Sequence, residues 1–170
     1  ILVAPHRTWW EPILFALAAS PMEFMFMAKK ELFKNPILRF ILVHAHAFSV
    51  DRDNPGPSAI KIPVKGLRKG DLSLIIFPSG TRHSEELKSG AFVIAKIANK
   101  PLVPVVYQGP LTFKGFLKRK SLDICFGDPI YIPRREKINK ETTQALYQQL
   151  EEAWDKLDKE QNHDLHYIAK

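Results

Sequence analysis

Cysteine is nearly absent: Cys125 is the only one in 170 residues. No internal disulfide can form, which suits a reducing compartment. No Asn-x-Ser/Thr glycosylation acceptor and no signal-peptide pattern occur. No apolar run approaches the roughly 18 residues that a spanning helix needs. Internal repeats and low-complexity segments are missing. So are the Gly-x-Ser-x-Gly elbow, the P-loop and the Gly-x-Gly-x-x-Gly turn, each a local signature of a common chemistry. The chain also lacks an initiator methionine and opens inside ILVA, which reads as a strand. The expectation is a piece of a longer chain with something upstream.

What is present points to one globular domain over 1–170. Apolar residues make up 45% of the chain, enough for a real core at this length. The net charge of +7 favours an anionic partner: nucleic acid, an acidic membrane surface, an acidic protein or a phosphorylated substrate. The aromatics cluster with aliphatics and do not interleave with basic residues as an RNA-reading sheet requires, so nucleic acid is not expected.

Short apolar runs predict strands at 1–4, 24–28, 47–50, 72–77, 102–107 and 122–127. Helices fit between them at about 12–19, 36–45, 57–69 and 85–99, with a last one at about 140–160. The last is amphipathic, with Leu146, Leu150, Trp154 (or Ala153) and Leu157 at helical spacing. The stretch DRDNPGPSA (51–59) is a loop, not a linker between domains. Alternating elements argue for an α/β layered domain, whose sites collect in loops beyond the strand ends.

The first such loop is the most informative. In ILVAPHRTWWEP (1–12), His6 and Glu11 flank a turn rich in aromatics. Thr8-Trp9-Trp10-Glu11 matches a capping box, which starts a helix without any chemistry. Pro12 weakens that match, because with Thr8 as the cap it would have to donate the first helical hydrogen bond. Proline at the first helical position moves the cap to Glu11 and leaves 6–10 as a turn. A turn brings Glu11 within reach of His6, and a histidine held by a carboxylate is a standard general base.

Other loops carry weaker signals. In IIFPSGTRH (75–83) a buried strand runs into Ser79, Gly80, Thr81 and Arg82. Gly80 permits close approach of a ligand, hydroxyls and N–H groups donate to oxyanions, and Arg82 offers a planar fork for phosphate. Alone, this pattern is equally a strand-ending turn with a surface arginine. Asp51-Arg52 after another strand reads as a solvated ion pair. AKKELFK (28–34) reads as a wet basic face, on which Lys29 or Lys30 can meet an anion. His44-x-His46 would share a face on a strand, but no third ligand at metal spacing accompanies it, and no zinc site is expected. His163 and His166 lie in a polar tail.

Taken in order, the blocks resemble the 1-acyl-sn-glycerol-3-phosphate acyltransferases. PHRTWWE (5–11) stands in the place of that family's Asn-His-x-x-x-x-Asp, and HAFSVDR (46–52) loosely matches Gly-x-Ile-Phe-Ile-x-Arg. FPSGTRH (77–83) matches Phe-Pro-Glu-Gly-Thr-Arg-Ser, and PLVPVV (101–106) matches the Val-Pro-rich strand. The linking LKSGAFVIAKIANKPLVPV (87–105) is also similar, and the resemblance spans about 1–128. Three positions depart from it: Glu11 replaces Asp, Ser79 replaces Glu and His46 replaces Gly.

The resemblance implies a mixed, largely parallel central sheet flanked by helices. It implies His6 as general base and Glu11 as its orienting partner. Lys29, Arg52 and Arg82 would hold a phosphate, Gly80 and Thr81 would shape the pocket beside Ser79, and Lys88 would add charge. No cofactor, metal or covalent acyl-enzyme is implied, only acyl-CoA or acyl-carrier protein as donor. The implied acceptor is a lysophospholipid, and the implied location is an anionic membrane surface on the cytoplasmic side, reached by a peripheral or monotopic protein whose membrane-associating segment lies upstream of Ile1.

Overall fold

A computed structural model describes residues 1–51, 55–78, 85–118 and 122–161. Six strands form one sheet in the order β3-β2-β4-β1-β5-β6. They are β1 (Leu2–Val3), β2 (Phe24–Lys29), β3 (Ala47–Val50), β4 (Ser73–Ile76), β5 (Val103–Gln108) and β6 (Asp123–Phe126). The first five in spatial order run parallel, and β6 closes one edge antiparallel to β5. This is the mixed, largely parallel sheet expected from the sequence. The central strands are the most apolar because both of their faces are covered: β4 reads SLII and β5 reads VPVVYQ.

The helices are α1 (Glu11–Ala18), α2 (Pro36–His44), α3 (Ser58–Lys69), α4 (Glu85–Ala98), α5 (Phe113–Lys118) and α6 (Lys140–Gln161). A short 3-10 turn spans Lys30–Lys34. The turn and α5 are absent from the sequence reading, because five or six residues are too few to display a period.

The strand order fixes which face each helix covers. The chain steps from β1 to β2 and from β2 to β3 in one direction, then from β3 to β4 and from β4 to β5 in the other. Right-handed crossovers therefore put α1 and α2 on one face and α3 and α4 on the opposite face. The two cores agree. Phe15 of α1 packs with Leu2, Ala4, Phe24, Ile75 and Val105. Val64 and Leu67 of α3, Phe92 and Ile94 of α4, and Leu150, Trp154 and Leu157 of α6 pack on the other side with Val3, Met25 and Leu74.

β1 is only two residues long, yet it sits between β4 and β5, with Leu2 paired to both Ile75 and Val103. Its end is tied to the far end of the chain. The buried Trp154 indole donates to the Val3 carbonyl at 3.0 Å.

His46 enters β3 with φ of 55°. This is left-handed backbone, where a side chain costs about 1–2 kcal/mol and glycine costs little. The position is the one at which the resembling family carries glycine. His46 is solvent-exposed, so its ring contributes little packing in return. His44, the other half of the His-x-His pair, ends α2 with Nδ1 2.8 Å from the Phe40 carbonyl oxygen. The two histidines thus do not share a strand face. We expect His46→Gly to stabilise the fold by about 0.5–1 kcal/mol after the added chain entropy of glycine is counted, read as a higher urea midpoint at unchanged slope.

Candidate active site

All five parallel strands end at the same edge, so the loops after β1, β2, β3 and β4 line up along it. From β1 the chain departs over the α1 face, and from the neighbouring β4 it departs over the α4 face. Such a reversal is where the sites of open α/β sheets collect. The His6 turn lies at this point, and the ring of Phe77, directly after β4, packs against the imidazole with centroids 4.5 Å apart.

Pro5 ends β1 and the chain curls through 6–10 as an irregular turn. The helix begins at Glu11, with Trp10 as the N-cap and Pro12 in the first turn. The cap therefore lies one residue before the position expected from proline preference. No capping box to Thr8 forms. The Glu11 carboxylate instead accepts from the Arg7 backbone N–H, at 3.0 Å to Oε2 and 3.2 Å to Oε1. This bond closes the turn ahead of the helix and caps none of the helix's own N–H groups.

The same carboxylate faces His6. Glu11 Oε2 lies 3.7 Å from His6 Nδ1, beyond a direct hydrogen bond but within ion-pair reach of a protonated ring. Glu11 has no exposed surface, whereas the His6 side chain is 41% exposed. A buried acceptor behind a half-exposed imidazole suits a base that must meet substrate at the carboxyl edge and a partner that must not. Nδ1 is the ring nitrogen that faces Glu11. Catalytic hydrogen bonds of this kind are commonly long before substrate arrives.

Of the other expected site residues, Lys29 is the last residue of β2 and lies at the same edge. Two strand spacings of about 4.8 Å separate β2 from β1, which puts it roughly 10 Å along the edge from the His6 strand. Its ammonium is exposed and 3.7 Å from Glu31. Lys88 falls in the first turn of α4, the helix that follows the β4 loop. Arg52, Ser79, Gly80, Thr81 and Arg82 lie outside the described residues, as do His163 and His166.

Arg7 escaped the sequence reading. Its guanidinium forks onto both oxygens of Asp158 on α6, and Nη1 also donates to the Tyr107 carbonyl at 3.0 Å. Gln108 Nε2 donates to Asp158 as well, to Oδ1 at 3.2 Å and to the backbone carbonyl at 2.8 Å. A signal for Asp158 existed. Leu150, Trp154 and Leu157 set the apolar stripe of α6, and Asp158, four residues after Trp154, continues that stripe with a charge. It is 1% exposed.

Comparison with known proteins agrees with this architecture. A family model described as Acyltransferase matches residues 1–108. The chain is 48% identical over 160 residues to the 1-acyl-sn-glycerol-3-phosphate acyltransferase of Streptococcus pneumoniae, covering 94% of this chain and 61% of that protein. It thus spans about three fifths of that relative's length. It is 40% identical over 166 residues to the Bacillus subtilis protein of the same name, covering 93% and 82% of the two chains. Among solved structures, the 1-acyl-sn-glycerophosphate (LPA) acyltransferase PlsC of Thermotoga maritima superposes with a TM-score of 0.61. That match covers 92% of this chain and 65% of that one at 19% identity, a likeness of fold. The family match runs from β1 to the end of β5, the stretch that builds this edge, and on it the chain belongs to the acyltransferase family.

Proposed function

We propose that the protein transfers an acyl chain to the sn-2 hydroxyl of lysophosphatidic acid, giving phosphatidic acid, with acyl-CoA or acyl-carrier protein as donor. The observation that carries this reading is the His6–Glu11 pair at the carboxyl edge, in a chain closely similar to two proteins bearing that name. His6 takes the proton of the acceptor hydroxyl while Glu11 fixes the tautomer and balances the imidazolium. The alkoxide attacks the thioester carbonyl, the carbon–sulfur bond breaks, and the departing thiolate receives the proton from His6. Lys29, Arg52 and Arg82 hold the acceptor phosphate. Ser79, Gly80 and Thr81 line its approach, and Lys88 adds charge. Neither a metal nor a covalent acyl-enzyme enters this scheme. Ser79, in place of the family's glutamate, favours a second reading in which the acceptor is another lysophospholipid or glycerol phosphate.

An anionic membrane surface on the cytoplasmic side is the proposed workplace, met peripherally. No helix among the described residues is long and apolar enough to cross a membrane. The α1–α2 face supports surface contact. Trp9 (68% exposed), Ile13 and Leu17 form a stripe on and beside α1, and Ile37 (71% exposed), Phe40 and Ile41 stand out from α2. Lys30 and Lys34 of the preceding 3-10 turn and Arg39 of α2 are exposed as well and add positive charge to this stretch. Exposed apolar side chains together with cations are what an acidic lipid interface attracts.

Acyl transfer to lysophosphatidic acid, with each donor supplied separately, tests the chemistry. His6→Ala should lower turnover by at least about 10²-fold, with thermal unfolding nearly unmoved because the side chain is half exposed. Equal turnover in the variant would overturn the assignment. Glu11→Gln keeps an oxygen for the Arg7 N–H but removes the charge behind the imidazole. It should cost about 10²- to 10⁴-fold in turnover, while Glu11→Ala should also lose about 1–3 kcal/mol of stability from the stranded Arg7 amide. In vesicle sedimentation, phosphatidylglycerol should bind the protein and phosphatidylcholine should not. Salt, or Phe40→Ser with Ile41→Ser, should reduce that binding.

A further inference from the structure

The Arg7–Asp158 pair joins the first loop of the chain to its last described helix. Arg7 is held at both ends. Its backbone N–H donates to the Glu11 carboxylate, and its guanidinium is forked onto Asp158 and the Tyr107 carbonyl. The first of these anchors is the peptide that joins His6 to Arg7. Asp158 is itself fixed by Gln108 from β5, and it is 1% exposed. It lies beyond residue 108, where the family match ends.

A pair of this kind is a weak way to gain stability. Well-packed apolar side chains of similar volume generally serve a fold as well or better, whereas removing one charged partner alone is strongly destabilising. What a bidentate fork supplies is direction: the guanidinium plane and the peptide behind it are fixed in angle as well as distance. Catalysis is sensitive to that, because a base misplaced by about 1 Å can lose about 10²-fold in rate.

We infer that Asp158 is a positioning residue for acyl transfer, holding the His6–Glu11 turn in its working geometry through Arg7. This rests on the proposed function, in which His6 is the base. Asp158 touches no substrate; it acts through Arg7.

The test uses Asp158→Asn together with the double variant Arg7→Met/Asp158→Leu, in which the charges are gone and the volume is kept. Turnover is measured with lysophosphatidic acid and the better donor, well below each protein's unfolding midpoint. The ¹⁵N signals of the His6 ring, assigned by their loss in His6→Ala, are recorded on the same samples. A positioning role predicts that kcat falls by about 10- to 100-fold, that KM for either substrate changes by less than about threefold, and that the ring shifts from one tautomer toward a mixture. The double variant should fold as well as the parent and remain slow. If Asp158→Asn fails to fold, the double variant decides alone. Full kcat in the double variant, a change confined to KM, or His6 ring signals identical to the parent would each overturn the inference. Should the parent transfer no acyl group while its His6 ring is held in one tautomer that the variants release, the acyl-transfer reading falls and the positioning of the turn stands.

Discussion

The two bonds from the Arg7 amide to the Glu11 carboxylate organise the molecule's functional end. A carboxylate with no exposed surface must find donors inside the protein, and burial without them is costly. The bonds close the turn after β1 just ahead of α1, and leave one carboxylate oxygen 3.7 Å from His6. Closing the turn and facing the His6 ring are here two uses of the same carboxylate. The substitution of glutamate for the family's aspartate fits this double duty, since the longer side chain reaches back across four residues to the amide and still faces the ring.

The sheet supplies the rest of the setting. Because β1 and β4 are neighbours whose outgoing connections leave over opposite faces, the carboxyl edge between them is a topological switch point, the place where open α/β sheets gather their sites. The two faces are unequal. Helices of 12, 14 and 22 residues shield one core, whereas α1 and α2, with 8 and 9 residues, lie over the other. Short helices cannot turn every apolar residue inward. The lighter face shows tryptophan, isoleucine, leucine and phenylalanine to its surroundings, and it adjoins the loop that carries His6.

All six strands and the five longer helices were legible in the sequence because each is an apolar run or an amphipathic period of sufficient length. The exact start of α1 was not, because proline satisfies either of two adjacent positions at a helix start. Strand order is not a local property, so the adjacency of β1 and β4, and with it the switch point, could be reached only through resemblance to a known family. His6 and Glu11 were readable because a turn joins them. The Arg7–Asp158 contact was not, because its partners stand 151 positions apart: the apolar stripe of α6 marks Asp158 as a charge on the buried side, but nothing local names its partner. His46 was legible as a bulky residue in a glycine's place, and its positive φ is the conformation that glycine would have eased.

The tie between β1 and α6 has a consequence for how the protein is made. The His6 turn leaves the ribosome well before its partners: Trp154, which holds the Val3 carbonyl, and Asp158, which holds Arg7, follow by about 151 residues. β1 also waits for β4 and β5 to arrive on its two sides. A nascent chain can thus complete several helices while its first strand remains an unpaired apolar segment, exposed to whatever it meets during synthesis. A segment translated long before its partners is among the last to take its final form, and an acyltransferase fold cut short during translation would carry its histidine without the geometry that surrounds it.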